Sequence, residues 1–275
     1  MKFLHLFPRL AATAIGVLLS LGAATVVAAP TVRVPAGVEV AQWDSLLKKH
    51  VNDRGFVAYT AWKANSADMA ALDTFIGKFA DASAPAATGE AEIAALINLY
   101  NALTIRWILQ NYPTESIREL DNSWSKARWN LGGRVVSLDE IEHKNLRPLF
   151  GWKVHATIVC AARSCPPLQR EAYTAANLAA LTGQAYRAWL GREDLNRFDP
   201  AAKTVAVSAI FKWFKDDFTG PGALNQVLAE YGPAKSGDFF RRGEFSVTYQ
   251  NYHWGLNDAG DWGASYSRGL FKRLF

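Results

Sequence analysis

The chain predicts an α+β fold, a helix-rich single domain with a small β-sheet. Apolar residues recur at three- and four-residue spacing over long stretches, among them Ile93, Leu96, Ile97, Tyr100, Leu103 and Trp107, which marks amphipathic helices. Only short runs, at 154–160, 203–208 and 244–249, are β-branched enough to read as strands. Half of the 275 residues are hydrophobic, so the chain can bury a core without covalent staples.

Residues 1–28 read as an export signal. Lys2 and Arg9 supply its positive start, and Ala11 to Ala24 is apolar but short of the roughly 20 residues that span a bilayer. Cleavage after Ala28 is preferred, because cleavage after Ala29 would place Pro30 first. The alternative is an uncleaved N-terminal anchor. No cysteine lies near the cleavage point, which excludes a lipoprotein anchor, and no later segment is apolar and long enough to cross a membrane. The expected location is periplasmic or secreted, with no integral span after cleavage. Without Lys2 and Arg9 the net charge falls from +5 to +3. The basic residues are scattered, so the sequence carries no nucleic-acid footprint. Ten tryptophans can line a core, a ligand groove, or both.

After a flexible or extended lead-in at 29–40, Trp43, Leu46, Leu47 and His50 predict a first helix over 41–51, with His50 at its surface or end. Asn52-Asp53-Arg54-Gly55 is a turn, followed by a short extended piece at 56–59. Ser66 caps a helix carrying Met69, Leu72, Phe75, Ile76 and Phe79. Residues 90–110 form the strongest helix, with Asn98 and Asn101 inside it. Gly132-Gly133 marks a hairpin, and Ser137-Leu-Asp-Glu140 a capping box that opens a helix through Leu146. On that helix Glu142 and His143 point about 100° apart. Residues 154–160 then read as a buried strand, 178–190 as an amphipathic helix, 203–208 as a strand, and 223–231 as a helix. Phe211, Trp213, Phe214 and Phe218 read as core, 244–249 as a third strand, and the last dozen residues as a fraying end.

Both cysteines, Cys160 and Cys165, fall in one loop that ends in Pro166-Pro167, close to His155. They are candidates for a structural disulfide in an oxidising compartment. Alternatively Cys165 is a nucleophile: Pro166 suits the first position of a helix, which would place Cys165 at its N-cap, where the dipole lowers a thiol pKa. A base and an orienting group would come from His143 or His155 with Glu142, Asn98 or Asn101. A zinc site built from Cys160, Cys165, His143 and His155 has suitable residue types but loose spacing. Buried, inert thiols complete the alternatives. No cofactor is expected.

In this order, Asn98-Leu-Tyr-Asn-Ala102, Ser137-Leu-Asp-Glu-Ile-Glu-His143 with Arg147, His155-Ala-Thr-Ile-Val-Cys160 with Ser164-Cys-Pro166, Ser208-Ala-Ile-Phe211 with Trp213 to Phe218, and Tyr252-His-Trp-Gly-Leu-Asn257 form a series. The series resembles the family called domain of unknown function 547, from about Trp43 to Asn257, with 258–275 as a tail. The family pattern has Asp at the position of His253. The resemblance implies that Asn98, Asn101, Glu142, His143, Arg147, His155 and Cys165 belong to motifs, forming either an active site or a buried polar network. Two functions follow. One is a cysteine-dependent hydrolase or acyl transferase on an envelope amide or ester, with Cys165, His143, His155 and Glu142 catalytic and Asn98, Asn101, Arg147, Arg163 and Asp217 binding a small-molecule or peptide substrate. The other is a non-enzymatic binding or scaffold module with a Cys160–Cys165 disulfide.

Overall fold

The computed structural model describes residues 32–260 together with 263, 264 and 266. Residues 1–28, expected to be an export signal, the first residues of the lead-in and most of the tail lie outside the described residues.

Helix α1 (Ala41–His50) buries Trp43, Leu46, Leu47 and His50 on one face. His50 stands at the helix end, as one expectation had it, but is buried rather than on the surface, with Nε2 2.7 Å from Asp68 and its ring stacked on Trp62. Gly55 (φ +75°) turns the chain where a Cβ would stand 2.5 Å from the Leu168 backbone nitrogen, so only glycine lets the double-proline stretch pass this close. After α2 (Tyr59–Ala64), helix α3 (Ser66–Gly77) is capped by Asn65, whose side chain accepts the Asp68 N–H. The cap thus sits one residue before the Ser66 expected from sequence, and Ser66 is the first helical residue.

Helix α4 (Gly89–Asn111) is the longest element, and its buried residues surround the axis at mid-length, from Leu96 to Ile105. It forms the spine of a large core cluster that includes Trp43, Trp62, Phe75, Leu103 and Ile141. Strands β1 (Trp129–Leu131) and β2 (Arg134–Val136) pair antiparallel through Gly132 and Gly133 at φ +55° and +80°, the positive values that a tight hairpin turn needs. The expected capping box is formed at α5 (Leu138–Ile141): Ser137 Oγ accepts the Glu140 N–H and Glu140 accepts the Ser137 N–H. One wider turn over Glu142–Leu146 then leads into α6 (Arg147–Phe150). Asn145 supports that turn: its amide donates to the Glu140 carbonyl at 2.8 Å and accepts the Val32 N–H at 3.0 Å.

The strand expected at 154–160 is not one. Gly151–Ala156 is a 3-10 helix and 157–160 is irregular. The run is buried and β-branched as a strand would be, yet it meets no sheet. Asn101 takes the place of a neighbouring strand, donating to the Thr157 carbonyl at 2.9 Å and accepting the Val159 N–H at 2.9 Å. Nor does a helix begin at Pro166. Residues 165–177 contain no helix, because Pro167 pushes Pro166 out of the helical region. Cys165 is consequently not at an N-cap.

Helix α7 (Leu178–Leu190) agrees with its sequence pattern. Strands β3 (Arg197–Asp199), β4 (Thr204–Val207) and β5 (Ser246–Tyr249) form a sheet in that order, β3–β4 antiparallel and β4–β5 parallel. With α8 (Ile210–Trp213), α9 (Leu224–Tyr231) and α10 (Gly237–Arg242), they enclose a second core cluster around Trp189, Val207, Phe211 and Phe240. The α+β class is as expected, but the strand content is two small sheets. Tyr252 packs against both core clusters.

Candidate functional site

A cleft of about 230 Å³ is lined from both core clusters. Glu142, His143, His155, Cys160 and Cys165 all reach it. Its remaining walls are mainly aromatic: Tyr100, Trp124, Trp213, Phe214, Tyr252 and Trp254. Four of the sequence's candidate catalytic residues therefore converge on one open site, although they lie on three separate stretches of chain.

Cys160 and Cys165 are joined as a disulfide. The loop that holds them is built by its neighbours. The Asn257 N–H donates to the Ala161 carbonyl and the Arg163 N–H to the Gly255 carbonyl, so 161–163 runs beside 255–257. Ala161 adopts φ +56°, a left-handed conformation that costs a non-glycine residue roughly 1–2 kcal/mol. Ser164 Oγ accepts the His253 N–H at 2.9 Å. This pairing brings Tyr252 over the sulfurs, its hydroxyl 3.2 Å from each. The Cys160 N–H also donates to Cys165 Sγ at 3.1 Å. Burial pushes the Tyr252 phenol upward, which keeps it a proton donor.

His155 lies 2.7 Å by its Nε2 from Asp217, and Arg147 closes on the same carboxylate with two 2.7 Å bonds. The imidazole is 3 % exposed and packs on Phe214 at 4.2 Å. Burial lowers the His155 pKa to about 4, outweighing the upward pull of the Asp217 hydrogen bond and charge, and the Arg147 charge adds a smaller push downward. Asp217 is held below the usual carboxylate range, first by its hydrogen bond with Arg147. Burial raises the Glu142 pKa, against the opposing charges of His143 and Arg147, and the Tyr100 hydroxyl donates to its carboxylate at 3.2 Å. His143, on the exposed side of the same turn, has Nδ1 3.9 Å from Glu142 and 3.3 Å from Arg147.

The other candidates lie apart from the cleft. Asn98 and Asn101 are buried in α4, and each clamps backbone by both ends of its amide: Asn98 holds Tyr173, and Asn101 holds Thr157 and Val159. They position the loop before and after the cysteines. Arg163 stacks on Phe56 at 4.8 Å, and Arg147 and Asp217 stand behind His155. Among the described residues no group of three or more His, Cys, Asp or Glu side chains is placed to hold a metal ion. Sequence reading overlooked three features: Asp217 as the partner of His155, the approach of Tyr252 to both sulfurs, and the exposure of Trp213. Trp213, expected in the core, is 48 % exposed at the cleft, stacked on Trp254 at 5.7 Å. For Tyr252 and Trp254 the signal was present as a closing aromatic motif, but nothing in it specified the sulfurs.

No curated protein and no solved structure matches the chain. A family model described as protein of unknown function, DUF547, matches residues 86–190. That span covers α4 through α7 and the cysteine loop; the motifs at 208–218 and 252–257, with Asp217 and Tyr252, fall beyond it. Over residues 86–190 the chain thus carries the DUF547 pattern, and it resembles that family of unknown function.

Proposed function

We propose that the cleft is the active site of a cysteine-dependent hydrolase or acyl transferase, acting on an amide or ester in the periplasm or outside the cell. The observation that carries this reading is the 2.7 Å His155–Asp217 contact beside a cleft that Cys165 also lines. A cysteine nucleophile needs a base to take its proton and a third group to hold that base. With Nε2–H donated to Asp217, Nδ1 of a neutral His155 is the acceptor. Cys165 would attack the carbonyl carbon after passing its proton to His155, and His155 would return that proton to the leaving group. The Cys160 N–H and the Tyr252 hydroxyl favour the thiolate. Asp217 takes the orienting role that the sequence suggested for Glu142 or an asparagine. Glu142 and His143, which also line the cleft, are left to bind or protonate substrate, and the aromatic walls suit an acyl or side-chain group of a small molecule or peptide.

Only the reduced form can act in this way, so the test uses reduced protein. A panel of nitrophenyl esters and anilides should give turnover with a burst of one equivalent. Cys165→Ala should abolish it with the circular dichroism unchanged, and Asp217→Asn should lower kcat more than KM. A reduced, folded protein that hydrolyses none of them at any pH between 5 and 9 would count against the reading. The disulfide favours a second reading, a binding or scaffold module that uses the aromatic cleft. Ligand binding that persists unchanged in Cys165→Ala, without turnover, would put that reading first.

A further inference from the structure

We propose that the Cys160–Cys165 pair is a thiol–disulfide exchange site, reduced by a dithiol that enters the aromatic cleft and attacks Cys160. The two sulfurs are not equivalent. Cys165 is 3 % exposed and belongs to the core, whereas Cys160 is half-buried and packs only at its margin. Both line the cleft, and Cys160 is the more exposed residue of the two, so a thiolate entering there meets Cys160 more readily.

Attack on Cys160 expels Cys165 as thiolate, and exchange is faster when the leaving sulfur is stabilised. Two donors are already in place for it. The Cys160 backbone N–H lies 3.1 Å from Cys165 Sγ, and the Tyr252 hydroxyl lies 3.2 Å from the same atom. Because that hydroxyl is also 3.2 Å from Cys160 Sγ, a small rotation of one O–H bond serves whichever sulfur carries the charge.

The electrons balance within the two partners. A thiolate of the dithiol bonds to Cys160 Sγ, and the electron pair of the Cys160–Cys165 bond passes to Cys165. The second thiol of the partner then attacks its own sulfur in the mixed disulfide and releases Cys160. The dithiol becomes a disulfide by losing two electrons, the protein pair gains them, and the two thiol protons end on the two cysteines. This exchange does not rest on His155 or on acyl transfer, although acyl transfer would need its reduced product.

The test is a thiol count by alkylation and mass spectrometry on the native mature protein, with dithiothreitol as the probe dithiol. Both thiols should be released while the circular dichroism is unchanged, and Tyr252→Phe should slow that release several-fold. With glutathione disulfide, Cys165→Ser should form the mixed disulfide at Cys160 about tenfold faster than Cys160→Ser forms it at Cys165. Sulfurs that dithiothreitol reaches only after denaturation would overturn the proposal, and so would equal capture by the two folded variants. If a variant fails to fold, the wild-type count decides alone. Released thiols without ester hydrolysis would leave the exchange standing and remove the acyl-transfer reading, so the two fail separately.

Discussion

His155 Nε2 meets Asp217 Oδ2 at 2.7 Å across 62 residues of sequence, and Arg147 Nε meets the same oxygen at 2.7 Å. One carboxylate therefore serves two donors, and only one of them is held as a cation. Burial leaves the imidazole neutral against the pull of Asp217, and the Arg147 charge adds a smaller push the same way.

A stability consequence follows from that neutrality. The folded His155 titrates near 4 and an unfolded histidine near 6.5. Between those values the unfolded chain binds a proton that the folded chain refuses, so the stabilisation present above pH 6.5 is lost as pH falls toward 4. At about 1.4 kcal/mol per pKa unit, the loss is on the order of 3 kcal/mol. His50, whose pKa burial also lowers, adds to the same window. Urea unfolding of the wild type from pH 7.5 to 4.5 should therefore show falling stability, and His155→Gln a shallower fall. Equal slopes for the two proteins would mean that His155 is not buried as a neutral base.

The buried asparagines make a prediction of a different kind. Asn101→Ala leaves the Thr157 carbonyl and the Val159 N–H without partners in the interior. Each unsatisfied buried group costs about 1–3 kcal/mol, so a loss of roughly 2–6 kcal/mol is expected. Asn130→Ala, on the exposed hairpin, should change stability by less than about 0.5 kcal/mol. Chemical denaturation compares the two directly. A mild effect at Asn101 would mean that water or a shifted backbone takes over the clamp.

These cases mark what the sequence could convey. Periodicity located α1, α4 and α7, and Ser137 with Glu140 announced their own cap, because those signals are local. The cysteine loop and its histidine stood out by residue type. The stretch 154–160 misled because burial and β-branching look alike in a strand and in a buried irregular segment. What distinguishes them is Asn101, more than fifty residues away in the chain. The same distance hid Asp217 from His155 and Tyr252 from both sulfurs. Asn98 and Asn101 were legible as special residues, yet their roles depended on which backbone they faced.

Trp213 separates binding from folding. Its ring is half exposed, 4.7 Å from Tyr252 and 5.7 Å from Trp254, and it forms one lip of the cleft. A large exposed aromatic contributes little to a core, so Trp213→Ala should lower unfolding stability by no more than about 1 kcal/mol. In a pocket that closes on a ligand the same ring excludes water and presents a flat apolar face, and its removal should weaken binding by about tenfold or more. Anilinonaphthalene sulfonate is a suitable first probe, because its fluorescence reports entry into an apolar site. Titration of folded wild type and Trp213→Ala should show saturable binding in the first and a clear loss in the second. Retained affinity with a large drop in unfolding stability would instead make Trp213 part of the packing that joins the two core clusters, and the aromatic lip would lose its claim to a ligand.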